Sequence, residues 1–168
     1  AKAIKNSKAP LVIAGAGVRN ANATKEFGEF VGKFNLPVVL TFGGRDCFSA
    51  ESNLYAGLIG TMGNKASNLL VNDCDCLIVI GSRLSWRQIR SRPDLFAKNA
   101  CIIHVDIDPN EIDQEIISTF DFPMDVKEFL SLISPALKNI DFFADLEWTK
   151  KCYLEHKNTP FPVEINSL

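Results

Sequence analysis

The sequence has little of what marks nucleic-acid-binding, membrane-spanning or disulfide-rich proteins. The 168 residues carry a formal net charge of only −2, which gives no electrostatic reason to expect a nucleic acid or an anionic membrane as partner. No apolar run is long enough to cross a bilayer and no signal-peptide pattern is present, so we expect a cytoplasmic protein. The five cysteines are odd in number, and Cys76 and Cys101 lie in strand-like runs, which favours free thiols. Cys74-Asp75-Cys76 is spaced too tightly for structural zinc, so no metal site is predicted.

A recognisable set of catalytic residues is also lacking. No Ser/His/Asp or Cys/His arrangement has a credible order, and no carboxylate pair suggests acid–base work. His104 lies inside an apolar run, where a core histidine is the simplest interpretation. The first residue is Ala1, and the chain opens as if in the middle of a helix, which is typical of a piece of a longer polypeptide. We therefore expect any catalytic residues to lie outside this chain.

What the sequence does contain is a regular alternation of strand-like and helix-like segments. Two continuously apolar runs, Cys76–Ile80 and Cys101–Val105, predict strands that are buried on both faces, as in a parallel sheet. Further predicted strands are Leu11–Ala14, Pro37–Thr41 and Thr119–Phe122. Helical spacing is found in Asn22–Phe34, in Asn64–Asn72 with Ala66, Leu69 and Leu70 facing inward, and in Asp125–Leu137.

This alternation predicts an α/β fold with three layers. We expect a doubly wound, Rossmann-like domain in which a parallel, about six-stranded sheet lies between helices. The domain is predicted to occupy residues 1–137, and residues 138–168 are predicted to form a C-terminal helix and a linker toward a further domain.

Several segments that follow the predicted strands have groups suited to a nucleotide. Gly15-Ala16-Gly17 resembles the start of a G-x-G-x-x-G dinucleotide fingerprint, but Asn20 stands where the third glycine belongs. The strand that ends at Thr41-Phe42 is not followed by an acid to bind a ribose. A tight strand-to-helix turn is the equally good structural interpretation of these glycines.

A second glycine-rich segment and a group of arginines point in the same direction. Gly57, Gly60 and Gly63 recur every third residue before a predicted helix, and we expect them to leave backbone N–H groups open to a phosphate or a flat ring. Arg83 and Arg87 follow the strand that ends at Ile80, where guanidinium groups suit a pyrophosphate. Arg90 and Arg92 are interpreted as facing solvent.

Acidic residues follow the next predicted strand. Asp106 and Asp108 lie on either side of Ile107, and we expect one to bind a ribose or an adenine. The other is expected to cap the turn at Pro109. Because ligands of open α/β sheets bind beyond the carboxyl ends of the strands, all these segments predict one nucleotide site.

Taken together, the motifs resemble a known family, the central domain of thiamine-diphosphate-dependent enzymes, in its acetolactate-synthase-like branch. The resemblance covers about Ala1 to Leu137 and is carried by the segments A-G-A-G-V, G-L-I-G-T-M-G-N-K-A-S-N, D-C-L-I-V-I-G-S-R-L-S-W-R-Q and I-I-H-V-D-I-D-P-N-E-I. In that family this domain is a six-stranded parallel sheet between helices. It binds FAD in acetolactate synthases and ADP in oxalyl-CoA decarboxylase relatives, and it binds nothing in several decarboxylases.

The resemblance implies a set of cofactor-binding residues and no catalytic or metal-binding residue in this chain. The implied residues are Gly15, Ala16, Gly17, Thr41, Phe42, Ile59, Gly60, Thr61, Met62, Gly81, Ser82, Arg83, Arg87, Asp106, Ile107, Asp125 and Val126. Of these, Asp106 and Ile107 would contact the adenosine. Acetolactate synthases usually carry histidine where Met62 stands and an acid where Ser85 stands, so FAD, ADP and no ligand are all alternatives.

The resemblance also implies a function for the full-length enzyme. The enzyme would use thiamine diphosphate and Mg²⁺, held by other domains of the same polypeptide, to join or cleave carbon–carbon bonds of 2-keto acids, as a transferase or lyase. It would act as a homodimer or homotetramer, and this chain alone would be inactive. The rival interpretations are a free-standing NAD-binding domain, of a reductase or sirtuin-like protein, and a ligand-free structural module.

Overall fold

A computed structural model describes residues 1–89 and 93–159 and has a six-stranded sheet with helices on both faces. The strands are β1 Pro10–Ala14, β2 Val38–Leu40, β3 Tyr55–Leu58, β4 Cys76–Ile80, β5 Cys101–Asp106 and β6 Phe120–Pro123. The helices are α1 Lys2–Lys5, α2 Ala16–Asn20, α3 Thr24–Lys33, α4 Lys65–Asp73, α5 Trp86–Ile89, α6 Val126–Asn139 and α7 Leu146–Asn158. The strand order is β3-β2-β1-β4-β5-β6 and every neighbouring pair is parallel, which confirms the predicted fold class.

The centre of the sheet is the part that the apolar runs predicted best. β1 and β4 are buried along their whole length and lie side by side. β4 has the predicted bounds, and β5 extends one residue beyond the predicted strand, to Asp106. Because helices cover both faces, these strands have no polar face, and a continuous apolar run is the expected pattern.

Two helical layers enclose the sheet. On one face, α3 and α6 contribute Phe27, Phe30 and Phe129 to a single apolar cluster. On the other face, α4 and α7 contribute Leu70 and Trp148 to a second cluster. Each fully buried side chain of this size contributes about 1.5–3 kcal/mol to the free energy of unfolding.

The connectivity of the sheet creates a crevice between β1 and β4. From β1 the chain moves outward through β2 to β3, and it then returns to build β4, β5 and β6 on the other side. The loops after β1 and β4 therefore leave the sheet in opposite directions. Such a switch point is where open α/β sheets bind ligands.

Two elements near this crevice were not predicted. The strand β3 contains Gly57 in the left-handed region, with φ +96°, and its pairing with β2 is irregular. Glycine in so short a strand hides the usual strand pattern. The helix α2 starts directly after Gly15, where only a turn was predicted, and its five residues show no helical periodicity.

The inward-facing residues of α4 were predicted only in part. Ala66 and Leu70 are buried as expected, but Leu69 is 50% exposed, so that prediction was wrong. The buried position belongs to Ser67, whose hydroxyl group donates to the carbonyl oxygen of Ala56 at 2.5 Å. A polar side chain that is satisfied by backbone has turned the buried face of the helix away from Leu69.

The helix α7 lies beyond the predicted domain boundary at Leu137 and packs against β3 and α4. Its Trp148 Nε1–H donates to the carbonyl oxygen of Pro10 at 2.8 Å. The boundary itself stays a prediction. The predicted linker, Asn158–Leu168, lies almost wholly outside the described residues, as do Arg90 and Arg92.

The cysteines are free, as predicted. Burial raises the pKa of Cys76 and of Cys152 to about 12, so both thiols are protonated at neutral pH. Within the described residues, no helix combines the length and the apolar character that crossing a membrane requires.

Candidate nucleotide site

The largest cavity, of about 900 Å³, runs along the carboxyl edge of the sheet. Residues that follow each of the six strands line it. All but one of the predicted cofactor-binding residues are among them: Gly15, Ala16, Gly17, Thr41, Phe42, Ile59, Thr61, Met62, Gly81, Ser82, Arg83, Arg87, Asp106, Ile107, Asp125 and Val126. The volume lies in the upper part of the range for ligand-binding cavities, about 300–1,000 Å³. Whether a nucleotide binds there stays a prediction.

The floor of the cavity is a backbone contact between the loops after β1 and β4. The Gly17 N–H donates to the carbonyl oxygen of Gly81 at 2.9 Å. A Cβ atom on Gly15 would overlap that same oxygen, and a Cβ on Gly17 would overlap the Cα of Gly81. These glycines are therefore required so that one loop can rest on the other.

Three backbone N–H groups beside this contact have no acceptor among the described residues. They belong to Ala16, Ser82 and Arg83, and we call them the amide trio. The carbonyl groups of the same peptide units are held by the protein: Gly15 O accepts from the Cys47 thiol at 3.4 Å and Gly81 O accepts from Gly17. Backbone N–H groups that converge on a concave surface are suited to bind an anion.

The Cys47 thiol has the protonation state that this arrangement needs. It is 3% exposed, and burial raises its pKa, so it keeps its proton and donates it to Gly15. Cys47 was noted in the sequence only as a free thiol. A contact between residues so far apart in the sequence has no local signal.

The predicted arginines are available at the cavity. The Arg83 side chain is 64% exposed, and its guanidinium lies 3.5 Å from a Glu111 carboxylate oxygen. An exposed pair at this distance is weak, so a phosphate competes readily for the guanidinium. The Arg87 guanidinium lies 5.5 Å from the centre of the Trp86 ring.

The acidic side of the cavity divides between structural and open groups. Asp108 accepts from the Asn110 N–H at 2.9 Å and caps the turn that begins at Pro109, as predicted for one of the two aspartates. Asp125 caps α6. Asp106 lines the cavity and accepts only from the Asp108 N–H among the described residues, at 3.1 Å.

The prediction for the second glycine-rich segment, residues 57–63, was wrong in its chemistry. The Gly60 N–H donates to Asn68 Oδ1 at 2.9 Å, the Thr61 N–H to the Arg87 carbonyl at 2.8 Å, and the Gly63 N–H to the Gly60 carbonyl at 3.0 Å. These groups are not open to a phosphate. Gly60 is also the one predicted site residue that does not line the cavity, because both of its polar backbone groups face Asn68.

The start of α4 is likewise occupied by the protein itself. Asn64, which is fully buried, accepts from the Ser67 N–H at 3.0 Å. Its side-chain amide donates to His156 Nδ1 of α7 at 2.9 Å. A helix terminus capped in this way offers no free donor to an anion.

The cavity is also lined by residues that were not predicted as cofactor-binding: Asn20, Ala21, Gly43, Ser85, Gln88 and Glu111. Glu111 belongs to the segment D-I-D-P-N-E-I, so its distance from Asp106 was a usable signal. Ser85 donates its hydroxyl hydrogen to Gln88 Oε1 at 2.7 Å, a pairing that depends on the fold of α5. No group of three metal-ligating side chains occurs in the described part of the chain.

The all-parallel sheet, its covering helices and the cavity at its switch point define a Rossmann-like α/β domain. The sequence profile of the thiamine pyrophosphate enzyme central domain matches residues 1–133. The chain belongs to this family of thiamine pyrophosphate enzyme central domains, as the sequence motifs predicted.

Curated relatives narrow the resemblance. The chain is 34% identical to the probable acetolactate synthase large subunit of Methanocaldococcus jannaschii, over 97% of this chain and 27% of that protein. It is 32% identical to the acetolactate synthase large subunit of Cyanidium caldarium, over 99% of this chain and 29% of that protein. Over 66% of the chain it is 33% identical to the acetolactate synthase isozyme 2 large subunit of Escherichia coli, of which it covers 20%. The chain thus spans less than a third of these relatives.

Proposed function

We propose that the cavity binds an extended dinucleotide of the FAD type, within the middle domain of an acetolactate-synthase-like enzyme. The observation that carries this proposal is the position of the cavity, which follows the carboxyl ends of all six strands. Five inter-strand spacings of about 4.8 Å give a length of about 24 Å. Two nucleotides joined by a pyrophosphate use that length, whereas ADP fills only part of it.

The charges along the cavity favour one orientation for such a ligand. The amide trio and Arg83 lie near the middle, beside β1 and β4, where a pyrophosphate would be neutralised. Asp106 lies on the β5 side and suits the hydroxyl groups of a ribose. This is the side to which the family resemblance assigns the adenosine.

The opposite end of the cavity suits a flat, apolar ring. Phe42 and Met62, which follow β2 and β3, are 52% and 65% exposed, and Ile59 lies beside them. Large exposed apolar side chains at a cavity favour a ligand or a neighbouring domain that would cover them. An isoalloxazine ring is such a group, and the methionine at position 62 supplies a polarizable surface for it.

The full-length protein is proposed to act on 2-keto acids. Its relatives are acetolactate synthase large subunits, which supports a carboligase or decarboxylase that uses thiamine diphosphate and Mg²⁺. This chain offers no described cluster of metal-ligating side chains, so the thiamine cofactor and its magnesium are assigned to other domains. We propose that the whole enzyme is a cytoplasmic homodimer or homotetramer and that this chain is inactive alone.

Ligand titration of the purified 168-residue chain tests the binding proposal. FAD, ADP and NAD are added separately and followed by calorimetry, with quenching of flavin fluorescence as a second signal for FAD. We expect FAD to bind tighter than ADP, and ADP tighter than NAD. A preference for NAD would favour the free-standing NAD-binding domain, and no binding to any of the three would favour a structural module.

A parallel measurement on the full-length protein controls for contacts from neighbouring domains. The protein is purified without added flavin, and its visible absorption spectrum is recorded before and after denaturation. Bound FAD released on denaturation supports the proposal. A flavin-free protein that also fails to take up added FAD contradicts it.

A further inference from the structure

His104 is a buried polar side chain with a single described hydrogen bond. The residue is 1% exposed and lies in β5, and its Nε2–H donates to the carbonyl oxygen of Ser82 at 2.8 Å. Its Nδ1 has no partner in the described part of the chain. Because a buried polar group is unfavourable unless it is hydrogen-bonded, what His104 does as a polar residue is done at Ser82.

The loop that His104 contacts has an unusual backbone. Gly81 and Leu84 both have positive φ, at 61° and 48°. The left-handed region disfavours a residue with a branched side chain such as leucine, so the surroundings must hold this loop in place. The hydrogen bonds that do so run from Gly17 N–H to Gly81 O and from His104 to Ser82 O.

The Ser82 carbonyl fixes the direction of a second group. The carbonyl of Ser82 and the N–H of Arg83 belong to one planar trans peptide unit and therefore point in opposite directions. His104 draws the carbonyl toward the core, which turns the Arg83 N–H outward. That N–H is a member of the amide trio, and both Ser82 and Arg83 line the cavity.

We propose that His104 is a positioning residue for phosphate binding: it holds the Ser82–Arg83 peptide so that the Arg83 N–H faces the cavity. This inference rests on the proposed function. Without the histidine, the peptide is free to rotate and to present the Ser82 carbonyl oxygen to the phosphates. Rotation would replace a hydrogen-bond donor with an oxygen that repels the anion.

Two substitutions of His104 separate this role from simple packing. His104→Leu removes the hydrogen-bond donor, whereas His104→Gln keeps an amide nitrogen that reaches about as far from the backbone as Nε2 of the imidazole. Ile103→Val, at the neighbouring buried position of β5, is the matched control because it lowers stability without touching the Ser82 carbonyl.

The measurement is an NMR titration of the ¹⁵N-labelled chain with inorganic pyrophosphate and with FAD. In the wild type we expect the amides of Ala16, Ser82 and Arg83 to shift on addition of either ligand. In His104→Leu the Arg83 response should be lost and FAD affinity should fall about tenfold, while the Ala16 response stays. His104→Gln should restore most of the Arg83 response.

The outcomes distinguish this inference from the proposed function. If His104→Leu keeps the wild-type Arg83 response, or if Ile103→Val loses it equally, the positioning role is wrong while phosphate binding stands. If no member of the amide trio responds to either ligand in the wild type, the phosphate site itself is wrong, and the inference falls with it.

Discussion

Two glycine-rich loops lie at the same edge of the sheet, and they use their glycines in opposite ways. After β1, Gly15 and Gly17 allow the backbone to rest on Gly81, and the amide trio around this contact stays free of protein acceptors. After β3, the N–H groups of Gly60 and Gly63 are taken by acceptors within the protein. The first loop is open toward the cavity, and the second is closed on itself.

The difference shows what a spacing of glycines does and does not indicate. In both loops glycine is needed because another backbone group approaches where a Cβ would be, which is Gly81 in the first loop and the Arg87 carbonyl for Gly60 in the second. Glycine therefore indicates close approach. It does not indicate whether the neighbour is a ligand or the protein itself, since that depends on side chains distant in sequence, such as Asn68.

The strongest way to break this comparison is to add a methyl group to the first loop. Gly15→Ala places a Cβ against the Gly81 carbonyl oxygen, and we expect the free energy of unfolding to fall by about 3 kcal/mol. The matched control is Gly28→Ala in α3, where a Cβ meets no atom within 4 Å and replacement of a helical glycine should stabilise by about 0.5–1 kcal/mol. Urea denaturation measures both, and a loss below about 1 kcal/mol for Gly15→Ala would contradict the tight contact.

Opening the second loop is expected to have the next largest effect. Asn68→Ala removes the acceptor of the Gly60 N–H and the donor to the Gly60 and Asn64 carbonyls, so stability should fall by about 1–3 kcal/mol. Amide hydrogen exchange gives the sharper readout, because Gly60 should become fast in the variant whereas Ala16 is already fast in the wild type. Leu69→Ala, an exposed position on the same helix, should change neither quantity appreciably. Slow exchange of Gly60 in Asn68→Ala would show that this bond is not what closes the loop.

A third variant tests the open loop through its side chain. Arg83→Gln should weaken FAD binding about tenfold, because a charged hydrogen bond to the pyrophosphate is lost. Its unfolding free energy should change by less than about 0.5 kcal/mol, because the ion pair with Glu111 is exposed. Lys33→Gln, on α3, serves as the control for the general effect of removing a positive charge. Titration calorimetry at two salt concentrations checks this, and equal losses in the two variants would count against a specific phosphate contact.

The smallest effect is expected at the contact that ties the closed loop to α7. Burial, with a smaller effect of the Lys157 charge, lowers the pKa of His156, whose Nδ1 accepts from Asn64. The unfolded chain therefore binds a proton more readily than the folded chain. The resulting stability is fully present above the unfolded pKa of about 6.5 and is lost as the pH falls below it.

His156→Gln should flatten this pH dependence, since glutamine keeps an acceptor but does not titrate. Carboxylates with a lowered pKa, such as Asp113 beside Ser118, lose their contribution only at more acidic pH, so they do not obscure the comparison. Urea unfolding at about pH 5 and about pH 7.5 measures the difference. A wild type and a variant with the same pH dependence would rule out His156 as its source.

The parts of the fold that were predictable are those in which the local pattern and the burial agree. β4 was predicted with its bounds because a strand covered on both faces reads as one apolar run. β3 was missed because Gly57 interrupts such a run, and α2 was missed because five residues are too few to show a helical period. Leu69 was misplaced because the buried face of α4 is set by a hydrogen bond of Ser67.

The cavity shows the same division. Residues that directly follow strands were found, because the carboxyl ends of parallel strands meet at one edge. Cys47 and His104, which hold the carbonyls of Gly15 and Ser82, were not given these roles. Their partners lie on other strands and loops, and no spacing within the chain records those contacts.

By itself, the sequence determined the alternation of apolar strands and amphipathic helices, and with it the parallel sheet and the edge at which its loops gather. Only the tertiary structure decided which backbone N–H groups at that edge are free. The physical reason is that an N–H is satisfied by whichever acceptor the folded chain brings within hydrogen-bonding distance. Residue order along the chain does not fix that distance.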